Sequence, residues 1–251
     1  MAPYATAQQI FAGALVFARI AAMAMTMPGL GDQPAPARVR LAFALLLCLV
    51  ITPVVYPALP KIPDSLGDLA GAVLREALIG LAIGAILRTF LAAMAVAGEV
   101  ISISTTLSFA QTANPTQAQQ NTTLATFLTL LAVVLLMAAN LHHLFIAAMV
   151  RSYSLFPFGQ PAPAQDFGRL AIRTVAEAFA LGIQLTAPVL IFSLIFNLAT
   201  GLVGRAMPQF QIFFAAAPLQ VLLGMSLLAL SLGAMGTFWI DRYRGLLSAF
   251  G

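Results

Sequence analysis

SISTTLSFAQTANPTQAQQNTT, residues 102–123, separates two strongly apolar runs, Val73–Ala97 and Leu124–Val150. Fifteen of its 22 residues are Ser, Thr, Gln or Asn, and none is charged, whereas about 25% of the residues of a soluble protein carry a charge. An uncharged segment that can form many hydrogen bonds suits a place where water is scarce, or where a passing chain must not be held by charge. The plainer interpretation is a solvated loop outside a membrane. The residues of the segment leave both interpretations open.

The composition of the whole chain is that of a membrane protein. Of its 251 residues, 61% are hydrophobic and only 8% are charged, and the mean hydropathy is +0.97. The net charge is +4, but the 12 basic residues are scattered singly and do not form the basic patch expected of a nucleic-acid-binding surface. A nucleic-acid partner is therefore not expected.

Six stretches are long and apolar enough to cross a membrane, which takes about 20 residues. They are Ala7–Met27, Val39–Leu59, Leu69–Ala97, Leu124–Val150, Leu170–Thr200 and Phe210–Ile240. The third, fifth and sixth exceed one perpendicular span, so they must tilt, break or extend beyond the lipid. Pro188 and Pro218 remove backbone hydrogen bonds inside the last two, and we expect bends or breaks there. The predicted fold class is all-α, a helical membrane protein with about six long, partly broken hydrophobic helices.

The linkers between these stretches are short and rich in Pro and Gly, and none is long enough to hold a soluble domain. The chain is therefore predicted to be a single helical membrane unit, residues 1–251, with an internal division before the last two helices.

Charged residues interrupt several apolar runs. Arg19 would be costly in lipid, by about 2.5–3.5 kcal/mol at mid-depth, so it is expected to face protein or water. Such charges indicate either an ion or proton path or, more simply, a packing interface that holds a paired charge. The glycines of the motif Glu76-x-x-x-Gly80-x-x-x-Gly84 permit close helix approach. The candidate buried charges are Arg75, Glu76, Glu99 and Glu177. A functional role is favoured most for Glu99, because no opposite charge lies near it in sequence.

Catalytic and metal-binding signatures are missing from the sequence. We find none of the motifs of serine hydrolases, zinc proteases, P-loop proteins or dinucleotide-binding proteins. His142 and His143 are adjacent, so on a helix they point about 100° apart and cannot easily share one metal ion. The chain is predicted not to be an enzyme and to need no cofactor or metal.

A series of short motifs runs through nearly the whole chain in a fixed order. They are Phe17-Ala18-Arg19 with Pro28-Gly29, Pro36-Ala37-Arg38-Val39-Arg40, Glu76-x-x-x-Gly80-x-x-x-Gly84, Ala97-Gly98-Glu99, Asn114-Pro115, Asn140-x-His142, Phe156-Pro157 with Gly159, and Asn197-Leu198-Ala199-x-Gly201-Leu202-x-x-Arg205-x-Met207-Pro208-Gln209 followed by Phe213 and Pro218-Leu219. With the six-segment layout, they make the chain resemble the FliR/SctT family, subunits of the type III export gate of flagella and injectisomes.

This resemblance implies a channel subunit of the flagellar export gate, in the bacterial inner membrane at the flagellar basal body. The implied partners are FliP-like and FliQ-like subunits, an FlhB-like switch protein, unfolded export substrates and membrane lipid. It also implies that residues 1–168 are FliP-like helices and residues 169–251 a FliQ-like hairpin. An injectisome homologue is the alternative, and a secondary transporter of a small solute that uses the charged residues for coupling is a further one.

The polar segment 102–123 is similar in position to the plug that closes the pore in this family. The candidate plug residues are Ser102, Ser104, Thr105, Thr106, Ser108, Phe109, Gln111, Asn114 and Pro115. The candidate residues for packing against neighbouring subunits are Gly80, Gly84, Gly98, Gly201, Gly204, Arg205, Pro208 and Gln209.

Overall fold

The computed structural model describes residues 7–27, 36–56, 60–107, 122–160, 164–207 and 212–249, and these ranges contain helices and no strand. The helices are α1 (Ala7–Thr26), α2 (Ala37–Val55), α3 (Leu66–Ser104), α4 (Thr123–Ala138), α5 (Leu141–Leu155), α6 (Ala164–Ala206) and α7 (Ile212–Ala249). The predicted all-α class is confirmed.

Five of these helices are long and apolar enough to cross a membrane, and the pair α4 and α5, bent by 78°, makes a sixth span if it is counted as one. The bend falls at Asn140, whose φ of 57° lies in the left-handed region. Asparagine tolerates this conformation better than most side chains, so it can end one helix and begin the next in a new direction. The fourth predicted stretch is therefore two helices.

Neither of the two suspected prolines breaks its helix. α6 continues through Pro188 and α7 through Pro218. Of the bends or breaks expected at these positions, the breaks do not occur and the bends stay a prediction. In a membrane no water can satisfy the backbone groups that a broken helix exposes, which favours keeping the remaining helical hydrogen bonds on both sides of a proline.

Internal contacts divide the chain into two compact units, each assembled from segments that are distant in sequence. Unit 1 holds residues 1–90, 140–175 and 244–251, and unit 2 holds residues 91–139 and 176–243. The predicted division into residues 1–168 and 169–251 concerns the likeness to two subunit types, and it stays a prediction.

In unit 1, α1 packs closely against the first half of α3. A Cβ atom at Gly80 would overlap the carbonyl oxygen of Arg19, and one at Gly84 would overlap the hydroxyl of Thr26. The two glycines thus bring the backbones together, as the Gly-x-x-x-Gly spacing predicts. On α1, Leu15, Val16 and Ile20 are almost fully buried.

In unit 2, small residues on the second half of α3 allow two other helices to approach. A Cβ atom at Gly98 would overlap the backbone of Ala125 in α4, and one at Gly182 in α6 would lie 3.0 Å from the carbonyl oxygen of Ala93. This packing holds the C-terminal end of α3 firmly, and that end is where the polar segment begins.

Candidate functional site at the base of the polar segment

The structure assigns the ends of the polar segment to helices. Ser102–Ser104 are the last residues of α3, a turn covers Thr105–Leu107, and Thr123 begins α4. The non-helical stretch is therefore shorter than 102–123. Five candidate plug residues lie outside the described residues: Ser108, Phe109, Gln111, Asn114 and Pro115.

The carbonyl of Ser104 anchors the start of the segment. It accepts hydrogen bonds from the hydroxyl of Ser193 in α6 and from Nε2 of Gln220 in α7, the latter at 2.8 Å. Both donors are buried, with 3% and 4% of their surface exposed. The last four carbonyls of a helix have no partner within the helix, so side chains from two other helices satisfy this one. We call these three residues the Ser104 clamp.

The turn after the clamp is also held in place. Thr105 is fully buried, its hydroxyl donates to the carbonyl of Ile101 at 2.8 Å, and its methyl group lies against Gly224, where a Cβ atom would overlap it. Thr106 has a φ of 59°, which is rare for a β-branched residue and marks a strained turn held by its surroundings. The direction in which the chain leaves α3 is therefore set by unit 2.

The far end of the segment is fixed to the same part of α3. Oε1 of Glu99 accepts the backbone N–H of Thr122 at 2.8 Å, and the hydroxyl of Thr122 accepts the N–H of Ala125 at 3.2 Å. A carboxylate at a helix N-terminus is favourable because it faces the positive end of the helix dipole. Glu99, the charge for which a functional role was favoured, thus caps α4 and pins the end of the segment.

A second buried polar centre lies in unit 1, around Arg19. Its guanidinium is fully buried, and Nε donates to Oε2 of Glu76 at 2.6 Å, Nη1 to the carbonyl of Ser152 at 2.9 Å, and Nη2 to the carbonyl of Phe156 at 2.9 Å. The ring of Tyr153 lies 4.2 Å from the guanidinium carbon, within the range of a cation–π interaction. We call this group the Arg19 node.

The node confirms that Arg19 faces protein, but sequence reasoning missed its partner. Arg19 and Glu76 are 57 residues apart, so no local spacing of charges indicates that they pair. A usable signal was present, because Arg19 is the one charged residue of the stretch Ala7–Met27 and Glu76 is the one acidic residue of Leu69–Ala97. The donors of the Ser104 clamp, Ser193 and Gln220, were also missed, since isolated polar residues in long apolar helices do not show which carbonyl they contact.

The other candidate charges differ in their surroundings. Arg75 and Glu99 are half-buried, whereas Glu177 is exposed on the surface of the chain. Glu177 lies on a face of α6 that unit 2 leaves uncovered, so its burial in an assembly stays a prediction.

The candidate packing residues fall into two groups. Gly80, Gly84 and Gly98 contact other helices of this chain, so intrachain packing accounts for them. Among the residues that the structure describes, no heavy atom lies within 4 Å of a Cβ position at Gly201 or Gly204, and Arg205 is exposed. Pro208 and Gln209 lie outside the described residues.

The side chains of the Ser104 clamp and the Arg19 node donate hydrogen bonds to backbone carbonyls. Neither group pairs a nucleophile with a base. Across the described ranges, no three residues of the metal-binding types cluster together. The ring centroids of His142 and His143 lie 4.2 Å apart.

Residues 10–246 match the family described as bacterial export proteins, family 1. The chain belongs to this family. The flagellar biosynthetic protein FliR of Caulobacter vibrioides is 58% identical to this bacterial export protein over 250 residues, which cover the full length of both chains. FliR of Escherichia coli K12 is 31% identical over 214 residues, 84% of this chain and 80% of the relative. FliR of Bacillus subtilis is 27% identical over 249 residues, 94% and 95% of the two chains. The resemblance to the FliR family is thus confirmed.

Proposed function

We propose that this chain is a non-enzymatic channel subunit of the flagellar protein export gate, and that its polar segment obstructs the pore at rest. One observation carries the proposal: an uncharged segment leaves α3 at the Ser104 clamp and returns to Glu99 on the same helix. Such a segment is anchored at both ends, while its own side chains carry no charge that could bind a passing polypeptide.

The identities of the relatives support a flagellar role over the injectisome alternative. The relatives from Caulobacter, Escherichia and Bacillus are all named flagellar biosynthetic proteins. The transporter alternative requires Glu76 to be available for coupling, but its carboxylate is held by Arg19 in a buried pair. This arrangement favours a structural role for Glu76.

The chemistry of the anchor suits a plug that moves. A hydrogen bond between uncharged groups contributes about 0.5–1.5 kcal/mol, whereas removing one member of a buried ion pair costs about 3–5 kcal/mol. The Ser104 clamp consists of two such uncharged hydrogen bonds. The segment can therefore shift during export without separating buried charges.

Exposed apolar faces support an assembly with other membrane subunits and with lipid. Leu46, Leu49 and Val50 on α2 are 63–71% exposed, and Leu230 on α7 is 83% exposed. We propose FliP-like and FliQ-like subunits as the neighbours, an FlhB-like switch protein as a further partner, and unfolded flagellar proteins as the substrates. The proposed location is the inner membrane at the flagellar basal body.

Deleting Gln111–Gln120 tests the plug. The deletion should raise the small-ion conductance of the assembled complex, because the obstruction is shortened while the clamp and Glu99 are kept. A matched control scrambles the same ten residues, preserving length and polarity, and should leave conductance low. Unchanged conductance after the deletion, with the complex intact, would refute the plug.

Replacing Gly201 or Gly204 with Leu tests the assembly. Since neither glycine meets a heavy atom of the described residues within 4 Å of a Cβ position, the variants should fold but fail to co-purify with the partner subunits. Gly168→Leu, at the opposite end of α6 and equally without a neighbour, is the matched control and should co-purify normally. Full co-purification of the Gly201 and Gly204 variants would contradict this part of the proposal.

A further inference from the structure

A cleft of about 460 Å³ opens in unit 1 where α3 begins. Its lining includes Phe11, Lys61, Asp68, Gly71, Arg75 and Gly159. Because one water occupies about 30 Å³ of liquid volume, the cleft has room for a group far larger than a few waters. Neither the plug nor the assembly proposed above uses it.

The cleft holds more positive than negative charge. Neither Lys61 nor Arg75 forms an ion pair within the described ranges, and Nε of Arg75 is buried without a hydrogen-bond partner there. Asp68 is engaged locally: its carboxylate accepts the hydroxyl hydrogen of Ser65 at 2.7 Å, and its N–H donates to the same hydroxyl at 3.0 Å. The two cations thus exceed the single carboxylate by one charge.

We propose that this cleft binds the phosphate of an anionic phospholipid headgroup. The excess of one positive charge complements the single negative charge of a phosphodiester, and the buried Nε–H of Arg75 gains the acceptor it lacks. Basic pockets between membrane helices bind anionic headgroups in this way.

The surroundings of the cleft favour a lipid over a free phosphate ion. The chain beside its lining residues exposes Ile62 by 39% and Leu66 by 82%. Exposed apolar side chains next to a headgroup site bury their surface against acyl chains. Inorganic phosphate would make no use of these side chains.

The first test measures binding of phosphatidylglycerol to the full-length chain in a neutral detergent, by native mass spectrometry across a lipid titration. Phosphatidylglycerol should bind more tightly than phosphatidylcholine, and inorganic phosphate at equal concentration should not displace it. The double variant Lys61→Gln/Arg75→Gln should weaken binding about thirtyfold, about fivefold for each charge lost. Equal binding of the two lipids, or displacement by inorganic phosphate, would overturn the proposal.

Two further variants keep this test decisive. Arg38→Gln/Arg151→Gln also removes two exposed cations of unit 1 but leaves the cleft intact, so it should bind as the unaltered chain does. If it weakens binding as much as Lys61→Gln/Arg75→Gln, general surface charge is responsible and the cleft is not the site. Gly71→Leu fills the cleft without altering charge, and no heavy atom of the described residues lies within 4 Å of its Cβ position. It should weaken binding at least tenfold, and unaltered affinity would overturn the proposal even if the double variant fails to fold.

Discussion

The Arg19 node and the Ser104 clamp both satisfy carbonyls at helix ends, but they do so with different chemistry. In the node, one buried guanidinium binds a carboxylate and two carbonyls, and so joins α1, α3 and the end of α5. In the clamp, a hydroxyl and an amide from two helices meet one carbonyl. A buried ion pair thus joins helices of unit 1, whereas uncharged hydrogen bonds hold the start of the polar segment in unit 2.

The largest predicted effect is at the node. Arg19→Met should destabilise the chain by about 3–5 kcal/mol, because Glu76 is left buried without its partner. The double variant Arg19→Met/Glu76→Met removes the stranded charge and should recover part of this loss. The carbonyls of Ser152 and Phe156 lose their hydrogen bonds from Arg19, but that of Ser152 still accepts the backbone N–H of Phe156 at 2.9 Å. The measurement is the free energy of unfolding in detergent. If the double variant is less stable than Arg19→Met, the pair is not the main contribution of the node.

Overpacking at the glycines should have the next largest effect, and it should be felt in both units. Gly80→Ala and Gly98→Ala place a methyl group against the backbone of another helix, and such overpacking costs about 1–3 kcal/mol. Gly13→Ala, which meets no heavy atom within 4 Å, should instead stabilise α1 by about 0.5–1 kcal/mol. Melting temperatures of the three variants test the opposite signs, and destabilisation by Gly13→Ala would contradict the packing described here.

Substitutions in the clamp should have smaller and non-additive effects. Ser193→Ala and Gln220→Leu should each cost about 1 kcal/mol, because the carbonyl of Ser104 keeps one donor in either variant. The double variant removes both donors that the described residues supply to this carbonyl, so its cost should exceed the sum of the single costs. Ser226→Ala removes an exposed hydroxyl of α7 and should change stability by less than about 0.5 kcal/mol. Strictly additive costs would show that the two donors do not share this acceptor.

The smallest effect is expected at Glu99. Glu99→Gln keeps an oxygen that can accept the N–H of Thr122 but loses the charge near the start of α4, at a cost of about 0.3–1 kcal/mol. Glu99→Leu loses the hydrogen bond as well and should cost more. Unfolding measurements at low and high salt separate the two contributions, since salt screens the helix-dipole term. A Glu99→Gln variant as unstable as Glu99→Leu would make charge, and not the hydrogen bond, the anchor.

The sequence predicts the helices better than it predicts the contacts between them. Long apolar runs predict spanning helices from composition alone, and the spacing of Gly80 and Gly84 correctly indicated close packing. The bend at Asn140 was missed because the apolar run continues through it. At Pro188 and Pro218 bends or breaks were expected, and the helices do not break there because an apolar medium favours keeping the remaining helical hydrogen bonds. Glu99 was recognised as unusual, yet its contact with Thr122 depends on how α3 and α4 pack, which no local pattern records.

The most direct test of the central claim is the ion conductance of the assembled complex that carries Ser193→Ala/Gln220→Leu. If the uncharged clamp holds the polar segment in the pore, the small-ion conductance of this variant should be well above that of the unaltered complex. It should approach the conductance of the complex that lacks Gln111–Gln120, while all subunits remain assembled. An intact complex that conducts no more than the unaltered one, although the deletion conducts strongly, would contradict the claim that the clamp keeps the pore closed.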